Sequence, residues 1–134
     1  MSKMKVLIVE DDKDILQLLS YNMQASGFDV LTSRDGFDAL SVARQNLPDL
    51  ILLDLMLPNL DGFEVCKELK RDLETKNIPI LMLTAVGQAT GFRFSMEKDG
   101  YWMKADDFAD KPLPPGELVE RIRRLIAEAA AGKP

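Results

Sequence analysis

The chain has 134 residues, 46% hydrophobic and 29% charged, the size and balance of one globular domain rather than a disordered or fibrous polymer. Its 17 basic and 22 acidic residues leave a net charge of -5 with no basic block, which argues against direct nucleic-acid binding. Histidine is absent and Cys66 is the single cysteine, so intrachain disulfides, Cys/His zinc sites, Ser-His-Asp triads and Cys-His pairs are excluded.

The first apolar run, Val6 to Val9, ends at Glu10-Asp11-Asp12. It is too short for a signal peptide or a membrane span, so the expectation is a cytoplasmic protein without membrane contact. Two further runs follow: Asp49 to Leu57, interrupted only by Asp54, and Ile78 to Leu83, interrupted only by Pro79. Short, branched, non-alternating runs suit strands buried on both faces of a parallel sheet. A weaker strand is expected at Asp29–Thr32 and a last one at Asp107–Asp110. Helical periods lie between them, carried by Ile15, Leu16, Leu19 and Met23, by Phe37, Leu40, Val42 and Ala43, and by Phe63, Val65, Cys66 and Leu69. Leu118, Val119, Ile122, Leu125, Ile126 and Ala129 mark an amphipathic closing helix. The rhythm predicts an α/β fold, a doubly wound sheet of five strands whose ligands bind beyond the strands' carboxyl ends. It is expected to occupy residues 1–134 as one domain, with a core over about residues 4–130, and to carry no output domain.

From Gln88 to Lys104 the text is aromatic and glycine-broken, and it reads as a long connection with a short helix. Phe92, Phe94, Tyr101 and Trp102 there are candidates for a partner surface, with loop packing an equal alternative. As a partner surface they predict that Phe92→Ala and Trp102→Ala weaken partner binding and leave the chemistry of the rest of the chain unchanged.

The first strand ends in Glu10-Asp11-Asp12 and the third at Asp54, so several acids meet at one edge of the sheet. Like charges brought together call for a cation, and an oxygen-only donor set suits magnesium. A plainer reading makes Asp12 a helix N-cap and Glu10 and Asp11 solvated loop acids. Asp54 weighs against it, because an acid inside an apolar run is costly without a task. Thr84 and Lys111 follow the third apolar run and the fifth strand onto the same edge. A carboxylate, a metal cradle, a hydroxyl and an ammonium are the parts that phosphoryl transfer requires.

VLIVEDD at Val6–Asp12, DLMLPNLDG at Asp54–Gly62, LTA at Leu83–Ala85 and ADDFADKP at Ala105–Pro112 together resemble the response-regulator receiver domains of two-component signal transduction. The resemblance covers essentially the whole chain and implies a flavodoxin-like strand order 2-1-3-4-5 with helices on both faces. It implies that Asp54 is the phosphoacceptor, taking a phosphoryl group from a phosphohistidine on a sensor kinase or phosphotransfer protein. Asp11, Asp54 and the Met56 backbone carbonyl would hold Mg²⁺, or Mn²⁺ in its place, with Asp12 direct or through water and Glu10 nearby. Lys111 would pair with a phosphoryl oxygen ahead of a cis bond to Pro112, Thr84 would donate its hydroxyl, and Ala85 would leave room for a backbone N–H. Thr84 and the aromatic Phe108 would form the switch that alters the face built by the family's fourth helix, fifth strand and closing helix. That face would control a downstream protein or an output domain outside this chain. A phosphorylation-dependent homodimer through the charges around Arg121, Arg123 and Arg124 stays open.

Such a module catalyses only its own phosphorylation and slow self-dephosphorylation. The alternatives are a non-phosphorylated pseudo-receiver that only binds, and an aspartate-nucleophile hydrolase of the haloacid-dehalogenase type. The hydrolase is disfavoured because Met56 occupies the position of its second aspartate, two residues after the nucleophile. A dinucleotide or P-loop site is absent from the sequence.

Overall fold

In the computed structural model the chain forms β1 (Lys5–Val9), α1 (Lys13–Ala25), β2 (Asp29–Ser33), α2 (Gly36–Asn46), β3 (Leu50–Asp54), α3 (Gly62–Arg71), β4 (Ile80–Thr84), β5 (Asp107–Asp110) and α4 (Pro115–Ala130). The described residues are 3–84, 107–111 and 113–132. The expectations for Ala85, for the segment from Gln88 to Lys104 with Phe92, Phe94, Tyr101 and Trp102, and for the bond to Pro112 lie outside them.

All five strands run parallel in the order β2-β1-β3-β4-β5, the order the family resemblance implies. The non-alternating apolar runs are explained by two cores, one on each face. Val6, Ile8, Leu50, Leu52, Leu81 and Leu83 point to α1 and α4, where Leu16, Met23, Leu118, Ile122 and Leu125 meet them. Their neighbours Leu7, Val9, Ile51, Leu53, Ile80 and Met82 point the other way, to Ala39, Leu40 and Ala43 of α2 and Val65, Cys66 and Leu69 of α3. Right-handed crossovers require this division: α1 leads from β1 outward to β2, whereas α2 and α3 lead back across the sheet. The direction of winding therefore reverses between β1 and β3, and a crevice opens at their carboxyl ends.

Capping fixes where three helices start. Asp12, Asp35 and Asp61 each accept a backbone N–H from the first turn of α1, α2 and α3, a contact that typically contributes about 1 kcal/mol. α4 instead begins at Pro115 without a side-chain cap, since proline has no N–H to satisfy. α1 stops at Gly27, whose φ of 96° continues no right-handed helix.

Several boundaries and faces differ from the sequence reading. β3 ends at Asp54 as expected, but the apolar run outlasts the strand, and Met56 beyond it is 72% exposed. Ile78 and Pro79 lie outside β4; Pro79 contributes its carbonyl to the Ile51 N–H but has no donor of its own. Ile15 and Phe37 stand on the solvent side of their helices because the buried stripes run through Leu16 and Met23, and through Ala39, Leu40 and Ala43. Among the described residues, no helix is long and apolar enough to cross a membrane.

Candidate functional site

Parallel register carries the ends of β1 and β3 to one level, with Val9 beside Leu53, so Glu10 and Asp54 emerge as neighbours in the crevice. Both are buried, with 2% and 6% of their surface exposed. Lys111 reaches them from the far edge, immediately after β5. Its Nζ donates to Glu10 Oε1 at 2.8 Å and lies 3.2 Å from Asp54 Oδ1. One ammonium is thus shared by two buried carboxylates, and a second interaction supports each acid from its own loop. The Met56 N–H donates to Asp54 Oδ1 at 3.3 Å, and the Asp12 N–H donates to Glu10 Oε2 at 3.0 Å.

The plainer reading of the acid triplet is therefore right for Asp12 and Asp11 and wrong for Glu10. Asp12 is the N-cap of α1, its Oδ1 accepting from the N–H groups of Asp14 and Ile15. Glu10 is a buried partner of Lys111 and no solvated loop acid. Asp11 is exposed, and its backbone carbonyl accepts two hydrogen bonds from Arg34, at 3.2 Å from Nε and 3.1 Å from Nη2.

The site's electrostatics follow from this crowding. Burial, and after it the charge of Glu10, push the Asp54 carboxyl up from 3.8 to about 6, against the pull of Lys111. For Lys111 burial works against the charge, but the hydrogen bond to Glu10 and the charges of Asp54 and Glu10 outweigh it and hold the ammonium above the usual lysine range. The excess of negative charge that Lys111 leaves around Asp54 suits a cation at this edge. The donors are carboxylate and carbonyl oxygens with no histidine or cysteine, which fits Mg²⁺ and not a soft metal. Among the described residues, no three acid side chains converge into a ready-made cage. Magnesium asks for none, since it takes one or two carboxylates and completes its shell with waters and phosphate oxygens.

Glycine makes the crevice this tight. A Cβ on Gly62 would stand 2.6 Å from the Asp54 carbonyl oxygen, so only glycine lets α3 start against the end of β3. Asn59, at φ 68°, turns the intervening loop in the left-handed region that asparagine tolerates. Thr84 ends β4 in register with Asp110, the residue before Lys111, and so shares the edge. Phe108 is buried against the α2 and α3 side, its position on an edge strand notwithstanding. The α4 arginines all have partners within the chain. Arg121 bonds Asp107 and the Phe108 carbonyl, Arg124 lies 3.8 Å from Asp107, and Arg123 bonds the Ser26 carbonyl and stacks on Phe28. Nothing in the sequence singled out Arg34 or the Glu10–Lys111 bond, because each joins segments far apart in the chain.

Residues 6–123 match the model of the response regulator receiver domain. The chain belongs to the response-regulator receiver family. This receiver is 43% identical over 122 residues to the DNA-binding dual master transcriptional regulator RpaA of Synechocystis, covering 91% of this chain and 48% of that one. It is 41% identical over 130 residues to the alkaline phosphatase synthesis regulatory protein PhoP of Bacillus subtilis, covering 97% and 51%. The chain thus spans about half the length of these relatives. Among solved structures, the receiver domain of Francisella response regulator 1452 superposes with a TM-score of 0.80 at 32% identity, over 94% of this chain and 98% of that one. The receiver domain of a Pseudomonas aeruginosa sensor histidine kinase superposes with a TM-score of 0.82 at 27% identity, over 94% and 99%, and holds a magnesium ion in its active-site cleft. Receivers are signalling modules of two-component systems and not turnover enzymes.

Proposed function

We propose that this receiver is a phosphorylation-dependent switch in which Asp54 accepts a phosphoryl group from a phosphohistidine of a partner kinase or phosphotransfer protein. The observation that carries the reading is the shared ammonium: Lys111 holds Asp54 at 3.2 Å while a second acid, Glu10, holds Lys111 at 2.8 Å. An Asp54 oxygen attacks phosphorus as the bond from phosphorus to the imidazole nitrogen breaks, and the electron pair leaves with the imidazole. With its pKa at about 6, Asp54 is about nine-tenths ionised at pH 7 and is ready to attack without a separate base. Lys111 and the Met56 N–H both converge on Oδ1, so Oδ2 is the oxygen that these two donors leave to act as the nucleophile. Lys111 can then release Oδ1 for a phosphoryl oxygen without losing its place, because Glu10 retains it. The ammonium stabilises the charge that spreads over the transferring group.

Asp11, Asp54 and the carbonyl of Met56 would hold Mg²⁺, with Asp12 adjoining through its uncommitted oxygen. When bound, the ion neutralises phosphoryl oxygens and the repulsion among the acids. Thr84 ends β4 in register with Asp110, the residue before Lys111, and the buried Phe108 precedes Lys111 on β5; their rearrangement would carry the change to the outer face of β5 and α4. The reader of that face is a downstream protein or an attached output domain, such as the transcriptional regulators among the relatives carry.

Intact mass after incubation with acetyl phosphate tests the reading. The expected result is one added phosphoryl group that requires Mg²⁺ and is absent from Asp54→Asn. No addition to a folded protein would leave the pseudo-receiver, a binding module without phosphorylation, as the better reading.

A further inference from the structure

The acids at the crevice are not held alike. Glu10 is tied to Lys111 and the Asp12 N–H, Asp12 to the first turn of α1, and Asp54 to Lys111 and the Met56 N–H. Asp11 alone has a carboxylate that no described residue bonds, and its side chain is exposed. Yet its backbone is gripped. The two donors of Arg34 converge on the Asp11 carbonyl from the turn between β2 and α2. That turn is a firm base. The Ser33 carbonyl accepts the Glu10 N–H at 3.0 Å, the Ser33 hydroxyl donates to the Asp38 carboxylate at 2.7 Å, and Asp35 caps α2. At Gly36 the same turn receives the Leu60 carbonyl where a side chain would otherwise stand, so it also abuts the loop after Asp54.

We infer that Arg34 is a positioning residue for the metal: by clamping the Asp11 carbonyl it presents the free Asp11 carboxylate to the divalent cation. This rests on the reading above, in which the crevice takes Mg²⁺. A guanidinium so near an acid ordinarily pairs with the carboxylate and would compete with the ion. Here its hydrogen bonds go to the backbone and leave the acid available. Two effects then oppose each other. An ordered loop tightens ion binding, because the ligand's conformational freedom is already lost before the ion arrives. A positive charge nearby loosens it. Arg34 is exposed, so salt screens its charge, whereas the ordering is not screened. Ordering therefore wins, and the sign of the effect separates the two.

The test is Mg²⁺ binding by titration calorimetry at 0.15 M salt for the wild type, Arg34→Ala, Arg34→Lys and Arg34→Gln, beside amide exchange at Asp11 and Asp12. Urea midpoints in EDTA serve as the control for folding. The expected result is Mg²⁺ affinity about tenfold weaker in Arg34→Ala, little recovery in Arg34→Lys, which keeps the charge without the paired donors, and faster exchange of both amides at an unchanged midpoint. Should Arg34→Ala fold poorly, Arg34→Lys and Arg34→Gln carry the same comparison. Equal affinity in all variants would overturn the inference. So would tighter binding in Arg34→Ala and Arg34→Gln with Arg34→Lys at the wild-type value, which would mean that Arg34 acts through charge alone. A folded wild type that takes up no Mg²⁺ would overturn both the inference and the metal-dependent function beneath it, whereas Mg²⁺-dependent phosphorylation with indifferent Arg34 variants would remove the inference alone.

Discussion

Replacing Asp54 with asparagine should make the metal-free protein more stable at neutral pH, although it removes half of Lys111's pairing. The folded protein binds a proton on Asp54 more tightly than the unfolded chain does, since burial and Glu10 lift the pKa from 3.8 to about 6. The stability linked to that proton is full below the unfolded value and is lost as pH rises through about 6. Ionised Asp54 thus costs the wild type roughly 3 kcal/mol at pH 7.5 if the whole shift is expressed. Asp54 stands at the solvent-facing end of its strand, so screening reduces the expected gain to about 1–2 kcal/mol. Asparagine keeps an oxygen for Lys111 and carries no charge to repel Glu10. Urea denaturation in EDTA at pH 7.5 and pH 4 should show the variant ahead at the higher pH and level with the wild type at the lower. Adding Mg²⁺ should stabilise the wild type selectively and narrow the gap, by about 1.4 kcal/mol at ten times the dissociation constant. A variant equal to or weaker than the wild type at pH 7.5, or an advantage that does not change with pH, would refute the electrostatic account.

Other perturbations probe the same edge. Lys111→Met should destabilise the fold by about 1–3 kcal/mol at neutral pH by leaving two buried acids without their cation, and should abolish phosphorylation from acetyl phosphate; urea midpoints and intact mass report the two effects. Glu10→Gln removes a charge that raises the Asp54 pKa, so the carboxyl ¹³C titration of Asp54 should move to lower pH. Gly62→Ala must displace the start of α3 from the Asp54 carbonyl, with an expected loss of about 1–3 kcal/mol in thermal or urea unfolding and slower phosphorylation. Asp61→Ala, which removes the α3 cap, should cost about 1 kcal/mol in the same unfolding assay and leave the Asp54 titration unmoved.

The strands could be read from sequence because a sheet covered on both faces needs apolar residues at every position, which leaves a run that a helix or an exposed strand would not show. Asp54 was legible for the complementary reason, as the one charge in such a run. The chain-wise order of the motifs, carried by the family resemblance, placed Lys111 beside it. What sequence could not supply was the pairing of charges across the fold. Glu10 and Lys111 are 101 positions apart, and nothing local distinguishes a buried, paired glutamate from a loop acid. Arg34 escaped for the same reason: its target is a backbone oxygen, which every residue has. Ile15 and Phe37 fit a helical period but not the buried stripe, because a short helix allows neighbouring stripes and only the sheet decides which faces inward.

The Glu10–Lys111 bond joins the ends of β1 and β5 with β3 and β4 lying between them. It acts as a strap across one rim of an otherwise open sheet, and it resists any change of twist that would spread β1 and β5 apart. Any chimaera of receivers with a crossover point between positions 10 and 111 takes the two ends of this strap from different parents. Exchanges that carry both residues, or that find an acid and a lysine already at those positions in each parent, preserve the rim, while the rest of the β5 and α4 surface remains free to be swapped for another specificity.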